Sequence, residues 1–74
     1  MIWFCLVDQS GAVSQVNSVP NRMAYDKYRY GLGLKRLEVP EALAREVSDT
    51  LGGWWVDPET GKLYDPAGVE RALL

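Results

Sequence analysis

The chain has 74 residues, a single cysteine, no histidine and a net charge of −2. That length makes one domain, and a domain this small buries only roughly 60–65% of the surface its unfolded form exposes, so its core alone is marginal. Cys5 by itself excludes an internal disulfide, and the lack of histidine removes the usual structural zinc sets. Tight packing, self-association or a partner must then supply the missing stability.

Met1 leads straight into apolar residues with no basic stretch before a long hydrophobic core, so no signal peptide is expected. No apolar run approaches the ~20 residues of a membrane span. The sequence therefore predicts intracellular synthesis with Cys5 reduced, and no membrane partner. The charge is segregated: residues 22–36 carry five cations against Asp26 alone, a local +4, whereas residues 37–74 carry a local −5. Two such patches are either solvated faces of opposite sign or surfaces for head-to-tail packing and docking on a charged neighbour.

In chain order, residues 2–7 read as a strand apolar on both faces, with Trp3, Cys5 and Val7 on one side and Ile2, Phe4 and Leu6 on the other. Such a strand is central, or covered on both sides. Asp8-Gln9-Ser10-Gly11 is a turn, and residues 12–19 return as the partner strand. Val13, Val16 and Val19 stand three apart in that strand, which breaks strict alternation and predicts a bulge or an early end to pairing. Pro20 stops the strand because it has no N–H to donate.

Residues 20–33 admit a short helix ended by Gly31 or an ordered, tyrosine-rich loop, and the loop is the preferred reading. Residues 34–39 predict a third strand before Pro40. A helix then begins with Pro40 at its first position, where a missing N–H costs nothing. Val39, Leu43, Val47 and Leu51 form its apolar stripe, Glu41 and Arg45 pair at i, i+4, and Gly52-Gly53 ends it.

Trp54-Trp55-Val56 and Lys62-Leu63-Tyr64 flank Asp57-Pro58-Glu59-Thr60-Gly61 as a second hairpin, in which Pro58 and Gly61 suit a type I turn followed by a bulge. Adjacent tryptophans on a strand face opposite ways, so either one of them anchors a partner or both are shared with the core. After Pro66, residues 67–74 permit a short terminal helix with Val69 and Leu73 along one side. The expected class is α+β: a small antiparallel sheet of two hairpins packed against one amphipathic helix.

Chemistry is sparse. No side chain titrates near neutrality to act as a general acid or base. Asp57, Glu59 and Asp65 cluster, but a calcium loop wants Gly sixth, whereas Gly61 is fifth and Pro58 intervenes. Cys5 lies in an apolar strand with no neighbouring base and reads as an inert buried thiol. Residues 22–36 carry the basic and aromatic mixture that tracks nucleic acid, but the domain as a whole is acidic, which argues against that use. The candidate protein-binding residues are Trp54, Trp55, Tyr64, Tyr25, Tyr28, Tyr30, Arg29 and Arg36; no cofactor, metal or small-molecule substrate is expected.

Three stretches carry a family resemblance: residues 4–13, with an apolar run ending in Val-Asp-x-x-Gly-x-Val; Val39-Pro40; and residues 53–66, Gly-Trp-Trp-Val-Asp-Pro-Glu-Thr-Gly-Lys-Leu-Tyr-Asp-Pro. In these the chain is similar to small accessory and fibre-associated proteins of tailed bacteriophages. The resemblance covers about half the chain and consists mostly of turn chemistry. Residues 20–33 match nothing in that pattern, and the helix after Pro40 stands where such proteins often pass directly to the tryptophan. What it implies is a non-enzymatic virion protein of the tail tip, baseplate or fibre attachment, made in the host cytoplasm, with other tail proteins or copies of itself as partners. The alternative is a phage-encoded inhibitor that blocks a host protein.

Overall fold

The computed structural model describes residues 1–73. Strand β1 (Ile2–Val7) lies at the centre of a three-stranded antiparallel sheet, flanked by β2 (Val13–Val19) and β3 (Lys35–Val39). A second antiparallel sheet runs β4 (Trp55–Val56), β5 (Leu63–Tyr64) and β6 (Glu70–Arg71) in sequence order. Helix α1 (Arg22–Lys27) follows β2, and helix α2 (Glu41–Asp49) joins the two sheets. The class is mixed α+β, with a Cα radius of gyration of 11.5 Å, close to the ~11 Å of one compact chain this long.

β1 is apolar on both faces because both are covered. On one face Phe4 and Leu6 join Val19 and are packed by Ile2, Ala24, Tyr25, Tyr28 and Leu34, the tyrosines coming from α1 and its end. On the other, Cys5 and Val7 join Val13, Val39, Leu43, Ala44 and Val47, together with Trp54, Val56 and Leu63 of the second sheet region. The spacing of the β2 valines follows from a bulge: Leu6 faces Gln15 but Val7 faces Val13, leaving Ser14 as the extra residue. The bulge turns Val13 to the same face as Val16, while regular pairing of Ile2 with Val19 puts Val19 on the opposite face.

Four expectations are corrected. The two hairpins do not share one sheet; each acquires a third strand and forms its own. Residues 22–27 are helical rather than looped, because the Asn21 side chain accepts the Ala24 N–H at 2.9 Å and caps the first turn. Pro40 stands one residue before α2 as its N-cap, in extended conformation, and its carbonyl accepts the Ala44 N–H at 2.9 Å. The helix stops at Asp49, so Leu51 lies beyond the stripe and is 50% exposed.

A fifth correction is the terminal helix. Residues 70–71 form β6 instead, paired with β5 through Leu63–Arg71 and Tyr64–Glu70; Leu74 of that expected helix lies outside the described residues. The reason is a turn at Asp65-Pro66-Ala67-Gly68 that repeats the one at Asp8-Gln9-Ser10-Gly11. In each, the aspartate carbonyl accepts the glycine N–H and its own N–H donates to the carbonyl after the glycine: 3.1 and 2.9 Å at Asp8, 2.8 and 2.9 Å at Asp65. In each, one carboxylate oxygen also accepts the second and fourth following N–H groups. This is the tight turn with a following left-handed glycine expected at Asp57, where the loop is one residue longer and Gly61 N–H donates to the Asp57 carbonyl.

The two sheets meet at Gly11. Val56 N–H donates to the Gly11 carbonyl at 2.7 Å, Val13 N–H donates to the Trp54 carbonyl at 3.1 Å, and the Trp55 indole donates to the Ser10 carbonyl at 3.0 Å. Gly11 has φ +93°, and a Cβ there would collide with Trp55 Nε1 and the Val56 carbonyl. Gly11→Ala is expected to cost about 3 kcal/mol or more, since backbone strain and overpacking add; urea unfolding followed by tryptophan fluorescence measures it, and a loss under ~0.5 kcal/mol would refute the account of the seam.

Candidate protein-binding site

The sequence-singled residues fall into two surface patches and one core position. In the first patch α1 carries Tyr25 onto Phe4 edge-on, with centroids 5.3 Å apart, and Tyr28 meets the same ring at 4.9 Å. Tyr30 stacks on Tyr28 at 6.3 Å and 20°. From β3, the Arg36 guanidinium lies 4.2 Å from the Tyr25 centroid and 5.3 Å from that of Tyr30, and donates to the Tyr25 carbonyl. Arg22 covers Tyr25 from the helix side at 5.0 Å and grips Glu38 with two bonds of 2.9 and 3.1 Å. Tyr25, Tyr28, Tyr30 and Arg36 are thus brought together, half-buried at the base and open at Tyr30, with Arg29 exposed beside them.

Electrostatically this patch is distinct. Among the described residues, ion pairs join Arg22 to Glu38, Arg45 to Glu41, Lys62 to Glu70 and Arg71 to Glu46 and Asp65. The cations left without a carboxylate are Lys27, Arg29, Lys35 and Arg36, all within ten residues of one another; Arg36 lies over the tyrosines, whereas Lys35, paired with Val7, stands on the other face of the sheet. Segregated charge in the sequence therefore becomes an open cationic and aromatic surface.

The second patch is the outer face of the second sheet, where Trp55 and Tyr64 pair across strands with centroids 5.8 Å apart. Trp55 is 39% exposed, whereas Trp54 is 2% exposed. Trp54 is therefore corrected to a core residue: its indole donates to Thr50 Oγ1 at 3.1 Å, and Arg71 lies over its ring at 5.7 Å while bonding Glu46 of α2 twice at 2.6 Å. Adjacency alone could not say which tryptophan is inside. The bridge between Ala12 and Trp55 decides it, by docking that strand on the first turn.

A cleft of about 370 Å³ lies between the sheets and was not read from the sequence. Val7, Leu37, Val56 and Pro58 line it with apolar surface, and Asp8, Lys35 and Asp57 also border it. No contiguous motif signals it, because its lining comes from three separate segments, residues 7–11, 33–37 and 56–61.

Burial pushes the Cys5 thiol up to about 11, which keeps it protonated and unreactive. The Ser10 hydroxyl bond holds Asp8 below the usual carboxylate range, and arginine bonds do the same for Glu38 and Glu46. Among the described residues no cluster of three metal-ligating side chains occurs, and no helix is long and apolar enough to cross a membrane. Comparison with protein-family models, curated proteins and solved structures gives no match.

Two outcomes follow. Trp54→Ala should cost about 3–5 kcal/mol and unfold much of the protein, whereas Trp55→Ala should leave a folded chain by circular dichroism; the reverse order would overturn the core assignment. Carboxylates with lowered folded pKa stabilise the chain above their unfolded value near ~4 and lose that contribution as pH falls through the folded one. Thermal melts should therefore drop in Tm below about pH 4, and Glu46→Gln should flatten the drop.

Proposed function

We propose that this chain is a non-enzymatic structural or adaptor protein of a tailed-phage virion, acting at the tail tip, baseplate or fibre attachment through protein–protein contacts. The observation that carries the binding role is the open cluster of Tyr25, Tyr28 and Tyr30 with Arg36, with Lys27 and Arg29 exposed beside it. Tyrosine and arginine dominate interface hot spots because each offers a large rigid contact and a hydrogen bond at small entropic cost. Here the rings are already locked by Phe4 and by the guanidinium above them, so little ordering remains to oppose association. The phage setting is supported by the similarity of residues 4–13, 39–40 and 53–66 to tail-associated proteins.

The cationic face favours an acidic patch on the partner tail protein, and steering between opposite charges makes the encounter salt-sensitive. The test is surface-immobilised binding of the purified chain to individual tail-tip, baseplate and fibre proteins. One of them should bind, and Tyr30→Ala and Arg29→Glu should each weaken the interaction roughly tenfold while leaving the melt unchanged. Failure to bind any tail component, together with absence of the chain from purified virions by mass spectrometry, would sink the proposal.

A further inference from the structure

The sheet order β2-β1-β3 leaves two strands with an outer edge, and the two are built oppositely. β3 carries Lys35, Arg36 and Glu38 in five residues, charges of the kind that keep sheet edges from pairing with other chains. In β2, Val13-Ser14-Gln15-Val16-Asn17-Ser18-Val19 contains no charge, glycine or proline. Its ends are closed, since the Val13 N–H bonds the Trp54 carbonyl and Pro20 has no N–H to extend the ladder. Between those ends the edge is open. The Asp8 N–H goes to the Ala12 carbonyl and the Val13 N–H to Trp54, so even-numbered residues of β1 turn their backbone groups toward β2. Gln15 and Asn17, opposite Leu6 and Phe4, therefore bond inward, whereas Val16 and Ser18, opposite Cys5 and Trp3, aim N–H and carbonyl away from the sheet.

The order of side chains along this edge says what pairs with it. About Val16 the strand reads nearly the same in both directions: Ser14 mirrors Ser18, the amide of Gln15 mirrors the amide of Asn17, and Val13 mirrors Val19. Two antiparallel strands related by a two-fold axis set each residue before the axis against the one equally far after it. We infer that β2 pairs with β2 of a second copy of the chain, antiparallel about Val16, so that the two three-stranded sheets become continuous. Each Ser14 then faces Ser18 of the other copy, and each Gln15 faces Asn17 of the other copy. Hydroxyl meets hydroxyl and amide meets amide, the cross-strand pairs that hold sheets together. Within one copy the Asn17 amide already donates to Gln15 Oε1 at 3.3 Å, so the axis gathers the amides of both copies into one cluster. A second copy is the one partner for which this mirror order gives matched pairs along the whole open stretch.

This contact is separate from the tyrosine and arginine cluster proposed to hold a tail protein, so the two readings fail separately. Sedimentation equilibrium of the full chain over a wide concentration range should show the mass rising from 8.3 kDa toward twice that value. Charge reads the register. Gln15→Lys with Asn17→Lys sets like charges against each other across the axis and should weaken association roughly tenfold or more. Gln15→Lys with Asn17→Glu sets opposite charges there and should associate at least as well as the parent chain. Both positions lie outside the buried core, and circular dichroism should show the native fold in both double variants. A monomer at every concentration, an association that survives the first double variant, or a folded second double variant that stays monomeric overturns the inference. Tail-protein binding that persists in the first double variant leaves the function proposed above standing.

Discussion

The architecture depends on how closely one turn is approached. At Gly11 the backbone of the first hairpin comes near enough to the second sheet for Val56 to bond its carbonyl directly, with the Trp55 indole lying where any side chain would have to be. Because that contact is main chain to main chain, it fixes the sheets in both register and distance, which side-chain packing alone does not. Trp54, Val56 and Leu63 then fall into the same buried cluster as Cys5, Val7 and the α2 stripe. A two- or three-stranded piece of either half would be marginal alone; joined, they share one core.

Around the seam, β1 divides the interior in two. The α2 side is aliphatic with one buried indole, and the α1 side is closed by Phe4 and the tyrosines that also reach the surface. Packing and binding are consequently linked on the α1 side: the ring that Phe4 holds from below is the ring that Arg36 covers from above. On the α2 side the Arg71 guanidinium spans β6, Glu46 and the Trp54 ring, so the last strand is fastened to the helix by charge as well as by its ladder. The Trp3 indole N–H, buried without a hydrogen-bond partner, is the one such side-chain group among the described residues.

Much of this was legible in residue spacing. The valines three apart announced the bulge, the doubly apolar first strand announced its central place, and Leu43 with Val47 marked the buried face of α2. What stayed hidden was set by turn chemistry or by distant contacts. Val69 and Leu73 mimic a helical stripe, yet Asp65 and Gly68 repeat the Asp8 and Gly11 pattern and force a strand. Asn21 offered a cap, and Arg22, Met23, Ala24 and Lys27 are good helix formers, so the loop reading underweighted local signals that were present. The choice between Trp54 and Trp55, and the cleft itself, arise from elements far apart in sequence, and no local pattern encodes them. Of the candidate contact residues, Trp54 alone proved internal.

The repeated aspartate turns also bear on the order in which the chain assembles. Three of the strand connections close over a handful of residues, a process of microseconds, whereas the indole of Trp55 must find a carbonyl 45 residues away. Hairpins of that kind belong to the early part of a folding reaction and the seam to its end. Contacts made after the rate-limiting barrier govern how long a native molecule survives rather than how fast it forms. Substitution at Gly11 or Trp55 is accordingly expected to act mainly on how fast the native molecule unfolds, and substitution of the turn aspartates on how fast it forms.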